Sequence, residues 1–366
     1  MAMGNRPDVA TAPAPIAALD VSLLAQQVAT ALARVPFRRP FEGQSSLLSN
    51  LGISVTREVI RSFMGYASSL RIPEFRSLEL VLDEICQWIM PPFVRSLDVD
   101  SHPTEFGGVP GILYVPRQSR PAGVILYLHG GGYIGTSPTM YAFFTARVCR
   151  ETECATFVAD YRLAPEFPYP AGAEDASAVY AELVALGIPP ERIFLAGDSG
   201  GGGLANTLLL ERPEHLDPVR PAGLVLFSPE VDLRLDEASV TENADRDILP
   251  WNIPTTAYLH GIDASSQPVA PLSADLSGFP PTCVTWGGDE MFRDPIRRYV
   301  QHLRAAGVPT DAREFEGMFH VFQILMPWAD DSREAFRHVR DFIHRVVDDA
   351  RPVAIADLTR KLNLPL

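Results

Sequence analysis

The sequence predicts an α/β protein built on a doubly wound, mostly parallel sheet. From about residue 95 onward, short apolar runs alternate with helix-length amphipathic stretches, the pattern of repeated strand–helix units. Several of those runs are apolar throughout instead of alternating, as expected of strands covered on both faces. A serine framed by glycines stands between one such run and the helix that follows it.

The elements follow in order. Residues 1 to about 95 read as helical: Leu24, Val28, Ala31, Leu32 and Val35 recur at helical spacing, as do Val59, Ile60, Phe63, Met64 and Ala67. A third helix runs through Leu78, Val81, Leu82, Ile85, Trp88 and Ile89, and Pro91 and Pro92 are expected to stop it. The strands then fall at 111–115, 124–128, 156–159, 193–196, 224–227 and 283–286, with a final strand before His320. Helices are expected at 137–151, 172–186, 201–212, 295–306 and 333–348. Ser137 should cap the first of these, with Pro138 at its first position. The last carries Phe336, Val339, Phe342, Ile343, Val346 and Val347 as one stripe. The acidic, proline-containing stretch from about 232 to 266 interrupts the alternation. It reads as an insertion over the C-terminal edge of the sheet, with a short helix near 253–260.

Composition removes several classes of function. With 366 residues, 46% hydrophobic and 21% charged, the chain has ample material for a core. A net charge of −14 opposes binding to nucleic acid or anionic lipid through bulk charge. Lys361 is the single lysine of the sequence, which argues against Schiff-base chemistry and a phosphate-loop lysine. Cys86, Cys149, Cys154 and Cys283 form no CxxC pair and no ligand spacing, so buried free thiols are expected and no metal site. Near the N-terminus Asp8, Asp20, Pro13 and Pro15 break up the apolar stretch, so neither a signal-peptide core nor a membrane span is expected. The expected location is the cytoplasm.

The chemistry concentrates at three places. Gly197-Asp198-Ser199-Gly200-Gly201 allows the cramped strand-to-helix turn that lifts a serine hydroxyl above a sheet. The alternative is a tight turn whose serine merely caps the helix. His129-Gly130-Gly131-Gly132 follows the strand at 124–128, and residues without side chains there let backbone N–H groups point into a cavity, as a developing oxyanion requires. His129 is expected to hold the loop by hydrogen bonds. Downstream, Gly287-Gly288-Asp289-Glu290 puts Asp289 just past a parallel strand, and His320 sits in a loop before the last helix. Serine, acid and histidine thus arrive as Ser199, Asp289 and His320, the order used on an α/β-hydrolase sheet. Glu290 and Asp294 are fallback acids, Asp294 being better suited to capping the helix that begins at Pro295. His302, His338 and His344 fall on helices and read as surface residues.

Two other readings compete. Gly130 to Gly135 satisfies GxGxxG after a strand, with Asp160 at the end of the next one, a dinucleotide fingerprint. It leaves the Ser199 turn and the pair Asp289 and His320 without a purpose. His129, Asp160 and Ser199 also follow the order of a chymotrypsin-like protease. That class is all-β and rich in disulfides, whereas a helix-length segment follows Ser199 at once.

His129–Gly132, Asp160 to Glu166, Gly197–Gly201, Asp289 and Gly317–His320 together resemble the hormone-sensitive-lipase-like family of α/β-hydrolases, the bacterial family IV esterases. The stretch from Ser273 to Pro281 adds to the likeness, which covers roughly residues 105 to 350. The resemblance implies an α/β-hydrolase fold with an eight-stranded, mostly parallel sheet. It also implies a helical cap made of residues 1–95 and the insertion at 232–266 on a catalytic domain spanning 96–366, and no cofactor. It gives Ser199 the nucleophile's role, His320 that of base and then acid, and Asp289 that of orienter, with Gly131, Gly132 and Gly200 as oxyanion amides. Gly200 stands where many members have alanine, and Val321 where glycine is common.

The function expected is a serine carboxylesterase acting on short- to medium-chain esters through an acyl-enzyme. An amidase or arylformamidase would use the same triad, and a non-catalytic small-molecule receptor is a third reading. The expected partners are a small ester substrate and, at the exposed edge of the final strand, a second copy of the chain. No nucleic acid and no stable membrane insertion is expected.

Overall fold

A computed structural model describes residue 14 and residues 18–34, 47–117, 122–211, 220–250 and 255–349. Lys361, Val35, Asp8, Pro13 and Pro15 lie outside the described residues. Three helices lead: α1 (Ala18–Arg34), α2 (Leu47–Ser69) and α3 (Ile72–Arg95). The third does not stop at Pro91. It runs through both prolines to Arg95, because Val94 is buried in the core and the Phe93 ring meets Phe143 edge-on at 6.0 Å. Packing thus holds a last turn that the prolines leave short of donors. Its expected apolar stripe is only partly covered: Val81, Ile85, Trp88 and Ile89 are exposed.

The strands β1 (Val99–Phe106), β2 (Val109–Pro116), β3 (Val124–Leu128), β4 (Ala155–Ala159), β5 (Ile193–Asp198), β6 (Gly223–Phe227), β7 (Thr282–Gly287) and β8 (Thr310–Phe315) form one sheet. Its order is β1-β2-β4-β3-β5-β6-β7-β8, antiparallel at β1–β2 and β2–β4 and parallel elsewhere. Strands β3 to β7 are buried along their whole length, which is why their sequences are apolar without alternation. The helices α4 (Ala142–Thr152), α5 (Ala171–Ala185), α6 (Ser199–Glu211), α9 (Arg293–Ala305) and α11 (Asp330–Asp349) cover the two faces.

Two capping expectations fail. Ser137 lies five residues before α4 begins; its Oγ accepts from Met140 N at 3.2 Å and pairs with Asp83, closing a separate turn. Asp294 lies inside the first turn of α9, where it pairs with Arg293 and accepts from Ser239 N at 3.1 Å. Among the described residues, the stretch between β6 and β7 holds two short α-helices, α7 (Ala238–Glu242) and α8 (Thr255–Leu259), and two 3₁₀ turns at Gln267–Val269 and Pro271–Ser273. A short α10 (Phe322–Leu325) follows His320. No helix among the described residues is long and apolar enough to cross a membrane.

The helices before the sheet are tied to its working edge. Arg76 on α3 donates to the Ile134 and Ala164 carbonyls at 2.5 and 2.8 Å and pairs with Glu79 and Glu166. Thr136 N donates to Glu79 at 2.8 Å. Arg61 on α2 reaches the 238–248 stretch, donating to the Asp247 carbonyl at 3.2 Å and to Asp245.

Candidate active site

Ser199 stands where β5 ends and α6 starts, with φ at +50°. A non-glycine residue there is strained, and the turn survives because its neighbours leave no other path. A Cβ on Gly197 would lie 2.6 Å from the Gly201 carbonyl carbon, and one on Gly201 would lie 2.1 Å from the Leu128 oxygen. The glycines are therefore required by close approach, and the serine hydroxyl is held at the C-terminal edge of the sheet.

Ser199 Oγ lies 2.9 Å from His320 Nε2, and His320 Nδ1 lies 2.8 Å from Glu290 Oε2. The three groups come from three separate loops, after β5, β7 and β8, brought to one point by the parallel order of the sheet. The His320 and Phe292 rings meet edge to face, their centres 5.0 Å apart. Burial lowers the basicity of His320, while the charges of Asp247 and Asp198 raise it.

The carboxylate that meets His320 is not the one the sequence reading names. Asp289 does not touch His320; its carboxylate points out toward Arg246 at 3.5 Å, and its N–H is tied to the Met318 carbonyl at 2.9 Å. The turn that follows Gly287 brings the next residue inward, and Glu290 is fully buried against the imidazole. Glu290 Oε1 accepts from Gly287 N at 2.7 Å. Burial pushes the Glu290 carboxyl well above its ordinary range, opposed by the Gly287 N–H and the Ser228 hydroxyl. Of the fallback acids, Glu290 is thus the one beside His320; Asp294 belongs to α9.

The triple-glycine loop lies against the serine turn. A Cβ on Gly200 would come within 3.1 Å of Tyr133 N, so a larger residue there would need Tyr133 to give by a few tenths of an ångström. Gly131 and Gly132 have φ of +121° and +61°, open to glycine and strained for other residues. Sequence reasoning missed what fixes this loop. Asp198, fully buried, accepts from Gly130 N at 3.0 Å and from the hydroxyls of Tyr127 and Tyr141, each at 2.7 Å. Burial raises its pKa to about 6, and those three donors hold it down. His129 bonds through Nδ1 to the Gly130 carbonyl at 3.0 Å and lies flat on Tyr161, whose hydroxyl donates to the His129 carbonyl. Burial lowers the His129 pKa to about 4, so a neutral ring braces the loop.

A family profile described as "alpha/beta hydrolase fold" matches residues 125–324. The chain is 30% identical over 293 residues to an "Esterase" from Acinetobacter venetianus, spanning 78% of this chain and 94% of that one. It is 35% identical over 232 residues to an "Acetyl-hydrolase" from Streptomyces hygroscopicus, 62% of this chain and 77% of the other. The crystal structure of EstE7, a hormone-sensitive-lipase homologue from a metagenome library, superposes with a TM-score of 0.65 at 31% identity. That match spans 74% of this chain and 98% of EstE7. This chain is an esterase of the hormone-sensitive-lipase-like family of α/β-hydrolases. In this esterase Ser199, Glu290 and His320 follow one another along the chain and meet in space, the acid beside the imidazole standing one residue later than its sequence suggests.

Proposed function

We propose that the esterase hydrolyses carboxylic esters by acyl transfer to Ser199. The observation that carries this reading is the unbroken chain from Ser199 Oγ through His320 to Glu290 at 2.9 and 2.8 Å. His320 Nε2 takes the hydroxyl proton as the oxygen attacks the ester carbonyl, and Glu290 steadies the resulting imidazolium through Nδ1–H. The amides of Gly131, Gly132 and Gly200 would receive the oxyanion. The imidazolium then protonates the departing alcohol, and a water activated by the same ring releases the acid. One missing oxyanion donor typically costs about 3–4 kcal/mol of transition-state stabilisation.

A fluorophosphonate probe followed by intact-mass analysis tests this. One adduct on the wild type, absent from Ser199→Ala, is expected; no adduct on a folded wild-type chain would move the receptor reading ahead. Residues 1–95 and 232–266 are read as a cap on a catalytic domain spanning 96–366. The contacts of Arg61 and Arg76 across these segments support that division. A cap that narrows the pocket favours short to medium acyl chains. Rates on acetyl, butyryl, octanoyl and palmitoyl esters should fall at the long end, and a maximum on palmitoyl would overturn this. Esters are preferred to amides because the family's named members are esterases and acetyl-hydrolases. A homodimer through the β8 edge is proposed on the family likeness alone.

A further inference from the structure

The segment between β6 and β7 does more than cover the site. Asp247, fully buried, spends both carboxylate oxygens on the main chain of the catalytic loops. Oδ2 accepts from Met291 N at 2.7 Å, the residue after Glu290. Oδ1 accepts from His320 N at 2.9 Å and from Ile248 N at 2.7 Å. Neighbours on the same stretch grip the same loop. Asn243 Nδ2 donates to the Glu290 carbonyl at 2.9 Å, and Ser239 Oγ donates to the Met291 carbonyl at 2.7 Å. From the other side, Arg61 on α2 holds the Asp247 carbonyl.

We propose that Asp247 is a positioning residue of the triad: a single carboxylate that fixes the acid loop and the histidine loop to each other through their backbones and adds negative charge beside the imidazole. The inference rests on the Ser199–His320–Glu290 reading. A buried acceptor bridging two backbone N–H groups from loops 44 and 73 residues away leaves either loop little freedom to drift. That matters because a misplacement of about 1 Å in such a constellation can reduce turnover by about 100-fold. The charge matters separately. His320 is faced by Glu290 at Nδ1, the Ser199 hydroxyl at Nε2, Asp198 from β5 and Asp247 from the insertion. Asp247 is the larger of the two remote carboxylates that keep the imidazole basic against its burial. Asp247 is itself faced by His320 and Glu290, with the Arg61 guanidinium on its carbonyl, and burial raises its pKa to about 6.

The test uses the full chain with Asp247→Asn and Asp247→Ala, assayed on a p-nitrophenyl ester across the pH range, with thermal unfolding alongside. The asparagine variant keeps the side chain's shape and the Oδ1 contacts, and decides the matter where the alanine variant unfolds. The expected result is a fall in kcat approaching 100-fold with little change in KM. The acidic limb of kcat/KM should move to lower pH, because the imidazole loses a charge that raises its pKa. A folded asparagine variant with wild-type kcat would overturn the proposal. So would a loss of kcat with the acidic limb unmoved, which is the signature of a scaffold residue alone. Failure of the triad reading would show elsewhere, as a wild-type chain that takes no fluorophosphonate.

Discussion

Glu290 and Asp289 differ by one position and by everything around them. Glu290 is buried with His320 Nδ1 on one oxygen and Gly287 N on the other, whereas Asp289 shares an open ion pair with Arg246. Exposed pairs of that kind contribute at most about 1 kcal/mol. Glu290→Gln should therefore lower kcat by about 10⁴-fold through the wrong tautomer of His320, while Asp289→Asn should stay near the wild-type rate. The reverse pattern in steady-state kinetics would return the role to Asp289. The sequence displays both acids and cannot choose between them, because the choice depends on how the turn after Gly287 closes. The meeting of Ser199 and His320 was legible because glycines mark a strained serine turn and chain order marks a histidine to partner it. Glu230 was not legible at all. It is buried after β6 with neither carboxylate oxygen hydrogen-bonded among the described residues, and burial beside Asp232 raises its pKa from an ordinary 4.5 to about 8. A carboxyl raised on folding gives its full stability below pH 4.5, and that stability drains away as pH climbs to about 8. Glu230→Gln should remove this slope. Its melting temperature should gain on the wild type's between those limits, and parallel curves would refute the argument.

At the scale of elements, legibility followed burial. Strands β3 to β7 are covered on both faces and betray themselves as continuous apolar runs. Strand β1 alternates half-exposed polar residues with buried ends, and β8 is the polar run TDAREF, so neither stands out from a loop by composition. The same polarity bears on the proposed homodimer. Asp311, Arg313 and Glu314 line the β8 edge and are engaged by Arg345, Glu334 and Arg297. Charges on an edge strand oppose pairing with another copy, so a dimer there must bury these ion pairs or bring helices to the contact. Light scattering at working concentration decides between the two states, and a monomer would dismiss the dimer.

The whole molecule is a sheet that delivers three loops to one point, with α2 and the 238–248 stretch bearing on the last two of those loops and α3 on the glycine loop after β3. That much of the architecture was readable, because strand–helix alternation dictates a parallel sheet and a parallel sheet gathers its C-terminal ends on one edge. The cross-links were not readable: Arg61 to Asp247 and Arg76 to Ile134 join residues 186 and 58 positions apart with no local pattern to announce them. One further property follows from helix α6, which opens Ser-Gly-Gly-Gly-Gly. Each glycine there disfavours helix by about 1 kcal/mol relative to alanine, so the first turns have almost no tendency to form alone. What stabilises them is their neighbours: the Leu128 carbonyl sits over Gly201, Pro229 over Gly202 and the Tyr133 hydroxyl over Gly203. The nucleophile's turn should thus be a late event in folding, templated by strands already in place. In pulse-labelled hydrogen exchange during refolding, the amides of α6 should gain protection after those of β3 and β5; earlier protection would contradict this. A chain that has not finished folding would then carry no activated serine, so it could not acylate itself or its neighbours while its core is still open.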